Sequence, residues 1–159
     1  ILKNGIHLVD LGAAPGSWSQ FVSRNFKNSK IISIDLKEIE EVENVHHIKG
    51  DFTDEFQQKK IIDYFGRKID AVISDMAVNT TGNKNLDSVV TGELCLDAMR
   101  FARDQLKQNG SFVSKIFMGS SFNEIVSEAK KNFKDIKIYK PLSSRKESKE
   151  SFIICSMLR

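Results

Sequence analysis

The chain has 159 residues, 40% hydrophobic and 28% charged, with a formal net charge of +3. That is ordinary for one globular domain, long enough to cover both faces of a sheet, and the mildly basic balance permits a nucleic-acid partner without demanding one. No stretch reaches the roughly 20 apolar residues of a membrane-spanning helix. The sequence opens at Ile1 rather than Met, so the expectation is a single domain over 1–159 that lacks an N-terminal segment.

In chain order, apolar runs of strand length fall at 6–11, 31–35, 45–48, 69–74, 111–116, 136–139 and 151–157. Helical patterns lie between them at 17–26, 54–65, 87–106 and 121–132. Such alternation predicts a parallel sheet with crossover helices. Ala71-Val72-Ile73 and Phe112-Val113 read as strands buried on both faces. Asn109-Gly110 reads as a glycine C-cap that closes the long third helix. The last apolar run follows its predecessor after only the loop Lys140–Glu150, which has no helical pattern. A parallel crossover needs a dozen or more residues, usually with a helix, so the last strand is expected to run antiparallel.

The two cysteines, Cys95 and Cys155, fall in a helical and a strand pattern, and read as reduced, buried thiols rather than a disulfide. His46 and His47 are adjacent on a strand and face opposite ways. No Cys/His cluster accompanies them or His7, so no metal site is expected.

The segment L-V-D-L-G-A-A-P-G-S-W, residues 8–18, carries the chemistry of the N-terminal half. A strand ends in Asp10, a turn of small residues follows, and a helix begins near Ser17. A dinucleotide fingerprint would read G-x-G-x-x-G. Here Pro15 removes a backbone donor where a phosphate would want one, and no P-loop lysine is present, so a phosphate-free nucleoside ligand fits better. Asp35 ends the second strand, where an acid binds a ribose diol. Asp51 follows the third strand in G-D-F, placed to accept from an adenine amino group. Acids at three successive strand ends describe a site for S-adenosylmethionine (SAM). Its expected lining is Asp10, Gly12, Ala13, Pro15, Gly16, Trp18, Asp35, Leu36, Asp51, Phe52 and Asp75, with Trp18 packed under the turn. The fold class that follows is α/β, a Rossmann-like SAM-dependent methyltransferase fold: a seven-stranded, mostly parallel sheet with an antiparallel last strand and helices on both faces.

Ligands of open α/β sheets bind at the carboxyl ends of the strands. Topology therefore sets Asp75, after the fourth strand, at the site. Lys115 interrupts the buried fifth strand, an expensive position for a cation without a partner or a function. Glu150 opens the last strand. These three come from separate strand ends and can converge.

Five segments, D-L-G-A-A-P-G-S-W-S-Q (10–20), G-D-F (50–52), S-D-M-A-V-N (74–79), S-F-V-S-K-I-F (111–117) and S-S-R-K-E-S-K-E (143–150), run in order from the first strand to the last. In them the chain resembles the FtsJ/RrmJ family of ribosomal RNA ribose 2'-O-methyltransferases. The resemblance implies a Lys-Asp-Lys-Glu catalytic set, of which Asp75, Lys115 and Glu150 match. The first lysine of that set precedes the first strand, and Lys3 stands too close to that strand to replace it. Two departures are Val78, where the family carries proline, and Ser17, where it carries a second glycine. Neither removes a reactive group, and Ser17 is suited to capping the helix.

The resemblance implies methyl transfer from SAM to a ribose 2'-hydroxyl of large-subunit ribosomal RNA, with Lys115 as the base and no metal. Without the first lysine, the expectation is a chain that binds SAM but methylates poorly. Arg145, Lys146 and Lys149 in the last loop, with Lys37 and Lys84, are the candidate contacts to RNA phosphates. A monomer is expected, in the cytoplasm of a bacterium or in a mitochondrion or nucleus of a eukaryote. A tRNA or an mRNA cap as substrate, and a non-catalytic ribosome-assembly module that binds RNA, stay open as alternatives. A dehydrogenase is disfavoured by Pro15.

Overall fold

The computed structural model describes residues 2–12, 16–76, 84–117, 119, 121–140 and 150–159, and at 17, 84–88 and 150 the backbone alone. Its elements are β1 (His7–Leu11), α1 (Ser17–Asn25), β2 (Lys30–Asp35), β3 (Val45–Lys49), α2 (Glu55–Phe65), β4 (Ile69–Ser74), α3 (Lys84–Gln105), β5 (Leu106–Phe117), α4 (Phe122–Asn132), β6 (Phe133–Tyr139) and β7 (Glu150–Leu158). They form one seven-stranded sheet in the order β3-β2-β1-β4-β5-β7-β6. The pairings β1–β2, β1–β4, β2–β3 and β4–β5 are parallel. β7 is antiparallel to both β5 and β6, so six strands share one direction and the last is reversed, as the short connection before it requires.

Two apolar layers cover the sheet. One gathers Val9, Leu11, Ile32 and Phe112 with Ile61 and Phe65 of α2, Cys95 and Met99 of α3, and Ile125 and Ala129 of α4. The other gathers Leu8, Ile31, Ala71 and Ile73 with Val22 of α1. Alternate strand residues thus feed opposite faces, as the pleat dictates. Cys95 and Cys155 are buried and unbonded to each other; burial pushes their thiols up to about 11 and about 12, out of reach of thiolate chemistry.

Local signals explain most boundaries. Asp54 caps α2 by accepting from the Phe56 amide at 2.9 Å, and Gly66, at φ 64°, closes that helix. Two expectations are corrected. The residue at the α1 cap is Gly16, at φ 104°, and Ser17 is already the first helical residue. The Asn109-Gly110 pair does not cap α3, which ends at Gln105. The register from Ile69–Leu106 to Ala71–Ser111 instead leaves extra residues in β5 there, a bulge. Gly110 sits in it, buried so tightly that a Cβ would meet Lys107 O at 3.0 Å and Asp70 O at 3.1 Å. The glycine serves close approach to β4, not a helix end.

Candidate active site

The order of strands reverses between β1 and β4, and such a switch point opens a crevice at the carboxyl ends. The chain stitches this edge together with backbone bonds. Gly50 N donates to Asp35 O at 2.9 Å, Gly12 N to Ile34 O at 2.9 Å, and Asp75 N to Leu11 O at 3.1 Å. Consecutive strand ends from β3 to β4 therefore sit in fixed register. Gly12 adopts φ +72°, and a Cβ there would fall 2.6 Å from Met76 Cγ, 3.0 Å from Met76 Cα and 3.1 Å from Asp75 O. Only a residue without a side chain lets the first turn lie against the loop after β4.

Asp10 is fully buried beneath this turn. Its Oδ2 accepts a 2.7 Å hydrogen bond from the Ser19 hydroxyl, while Oδ1 has no partner among the described residues. Burial pushes its carboxyl up to about 7; the Ser19 bond opposes that shift, and the charges of Asp75 and Asp35 add to it. Ser19 takes the inward position on the first turn of α1. Trp18, about 100° round the helix, is consequently 39% exposed and does not pack under the turn as expected.

At β2, Asp35 Oδ1 accepts from the Lys37 amide at 2.8 Å, and Leu36 is well exposed. Asp51 is exposed after β3; its Oδ1 accepts from Thr53 N at 2.9 Å and Thr53 Oγ1 at 2.7 Å, which locks the turn. The Phe52 ring points into the core, edge-on to Phe101 at 5.4 Å, so only its backbone lies at the strand ends.

Lys115 Nζ stands 3.4 Å from Asp75 Oδ1, both side chains partly buried. The structure thus brings together two of the three expected catalytic residues. Glu150 is placed by its backbone: it pairs with Phe117, two pairs along from Lys115–Phe152. Ala13, Pro15, Val78, Arg145, Lys146 and Lys149 lie outside the described residues, as does the side chain of Lys84. Lys3 is remote from this site. It pairs at 3.5 Å with Asp70, which Lys107 also holds at 3.0 Å, at the amino end of β4. Although burial works upward on Asp70, the His7 amide and Lys107 outweigh it and hold its carboxyl below the usual range. Ser19 is the functional position that sequence reasoning missed; its signal was a hydroxyl one helical step past the turn, level with a buried acid. No group of three or more metal-ligating side chains occurs among the described residues.

Comparison with known proteins bears on this geometry. The sequence model of the FtsJ-like methyltransferase family matches residues 1–157. The chain is 61% identical, over its whole length and 78% of the relative's, to ribosomal RNA large subunit methyltransferase E of Pelagibacter ubique (strain HTCC1062). A Plasmodium falciparum structure, provisionally assigned as a ribosomal RNA methyltransferase, superposes with a TM-score of 0.86 at 29% identity, covering 99% of this chain and 89% of that one. Human methyltransferase-like protein 13, solved in complex with SAH, shares the fold at a TM-score of 0.67 and 13% identity, over 96% of this chain and 72% of that one. A sheet with one reversed strand, a crevice between β1 and β4 and a lysine–aspartate pair at its edge agree with the family match, and the chain belongs to the FtsJ-like methyltransferase family.

Proposed function

We propose that this chain transfers a methyl group from SAM to a ribose 2'-hydroxyl of large-subunit ribosomal RNA. The observation that carries the reading is the 3.4 Å pair of Lys115 and Asp75 at the switch-point crevice. The Pelagibacter relative, named for large-subunit ribosomal RNA, supports the substrate class.

The residues present fit SAM. Asp10 Oδ1, unpartnered among the described residues, is a buried acceptor at the turn, suited to a cationic or N–H donor. Gly12 and Gly16 keep the two ends of the turn free of side chains, Asp35 suits a ribose diol, and Asp51 and Leu36 flank an adenine position, with Trp18, Ala13, Pro15 and the Phe52 backbone completing the wall. Bound there, SAM supplies a methyl group made electrophilic by its sulfonium.

The protein's tasks are alignment and proton removal. Lys115, in its neutral amine form, accepts the 2'-hydroxyl proton at Nζ, a contribution of about 10²–10⁴-fold for a positioned base. Asp75 holds that amine in place through Oδ1, and Glu150, from the strand paired with β5, orients the ribose. Arg145, Lys146 and Lys149 meet phosphates of the RNA. Labelled SAM incubated with large ribosomal subunits lacking ribose methylation tests the reading. Slow appearance of label on a ribose, abolished by Lys115→Ala, is the expected result; SAM binding with no transfer to RNA at all would overturn it.

A further inference from the structure

A cross-strand row leads away from the candidate base. Lys115 pairs with Phe152, and Phe152 pairs with Tyr139. Two strand spacings, about 10 Å, therefore separate Lys115 from Tyr139 on β6. β6 ends the sheet, and among the described residues it pairs with β7 alone. From Lys134 to Tyr139 all but Ile136 are exposed, as is Lys140 beyond the strand. Tyr139 is 53% exposed and Ile138 42%.

This edge is strongly basic. Lys130 and Lys131 end α4, Lys134, Lys137 and Lys140 follow at intervals of three, and Arg159 is pinned alongside by its amide to Asn132 O and its Nε to Lys130 O. The acids among them are Glu128, which pairs with Lys131 at 3.2 Å, and Asp135. Six cations against two acids is an excess of four, larger than the +3 of the whole chain, so the positive field concentrates here. Residues three apart on a strand are about 10 Å apart and face opposite sides of the sheet, so Lys137 shares the face of Tyr139 and Lys115 while Lys134 and Lys140 line the other side of the same open edge. An exposed aromatic ring at the site end of an edge bordered by cations on both faces is an arrangement that stacks a base while cations track phosphates.

We propose that the outer edge of β6, with Lys134, Lys137, Lys140 and Tyr139, is an RNA-binding track that holds the strand flanking the target ribose. The inference rests on RNA being the substrate. It adds to that reading a surface of residues outside the reaction centre. Edge lysines also deter strand-to-strand aggregation, and a purely protective role predicts no effect on RNA affinity.

The test measures binding of the whole chain to deproteinised large-subunit RNA and to intact subunits across a salt series. It compares Lys134→Gln with Lys137→Gln, Tyr139→Ala, and a control of equal charge change on the opposite edge, Lys59→Gln with Lys60→Gln. The expected result for the β6 double variant is weaker RNA binding and a log–log salt slope shallower by about 2, with SAM affinity and melting temperature kept. Tyr139→Ala weakens binding with the slope unchanged, and the α2 control leaves both unchanged. An unaltered slope and affinity in both β6 variants would overturn the proposal, as would an equal loss in the control. Weakening on intact subunits but not on deproteinised RNA would overturn it in favour of a protein contact. Weaker binding by the β6 variants alongside an unaltered chain that transfers no methyl group would sustain the track and reject the reaction.

Discussion

The Ser19 hydroxyl donates a 2.7 Å hydrogen bond to Oδ2 of Asp10, joining the first turn of α1 to the end of β1 beneath the glycine-bearing turn. It holds one oxygen of a fully buried carboxylate whose other oxygen has no partner among the described residues. Ser19→Ala removes this side-chain bond from a buried carboxylate, a cost of about 1–3 kcal/mol. The expected outcome is a lower midpoint in urea unfolding together with weaker SAM binding, since the same bond sets the turn. Unchanged stability would remove Ser19 from this role.

The pH dependence of stability follows from Asp10. Its folded pKa of about 7 lies above the ordinary 3.8, so the folded chain binds this proton more tightly than the unfolded one. Stability from this group is then fully present below about pH 4, declines as pH rises towards 7, and is flat above. Asp10→Asn keeps an acceptor for Ser19 and cannot ionise. Denaturation across that window is expected to show the unaltered chain losing stability relative to the variant as pH rises; parallel profiles would contradict the assignment.

Removing either partner of the Lys115–Asp75 pair separates chemistry from binding. Lys115→Ala is expected to reduce single-turnover methyl transfer by about 10²–10⁴-fold with SAM affinity retained. Asp75→Asn, which weakens the hold on the amine, is expected to fall in the same direction by less. A Lys115→Ala chain transferring at the unaltered rate would exclude the lysine as base.

Gly12→Ala introduces a methyl 2.6 Å from Met76 Cγ at a positive φ. The strain of a non-glycine residue there is about 1 kcal/mol or more, and relief requires moving the loop that carries Asp75. Methyl transfer should therefore drop further than stability does, read as kcat against melting temperature. A loss of stability alone would show that the two loops are not coupled.

Lys3 sits at the amino end of the sheet against Asp70, so Lys3→Gln is expected to leave kcat unchanged. Its side chain is mostly exposed, and its pairing contributes about 0–1 kcal/mol. Asp70→Asn, which loses partners at a more buried carboxylate, is expected to destabilise by more, again at constant kcat per folded molecule. A fall in kcat for Lys3→Gln would place the lysine in the chemistry after all.

Period and punctuation in the sequence determined the elements, the reversed last strand and the strand ends that carry Asp10, Asp35, Asp51, Asp75 and Lys115. Those are local or near-local properties: runs of apolar residues set strands, and a loop too short for a crossover sets direction. The tertiary structure alone decided which strands are neighbours. Pairing β4 with β5 is what brings Asp75 within 3.4 Å of Lys115, forty positions away in the chain. It also overrode a local signal, because Gly110 resembles a helix cap in sequence yet packs against Asp70 O inside a bulged strand. The inward turn of Ser19 and the outward turn of Trp18 were settled likewise, since a helix's rotation is fixed by the sheet it covers and not by its own residues alone. The charges on β6 became a surface only when β6 proved to be the sheet's edge, for residue order states what a strand carries while burial against its neighbours states which side remains open.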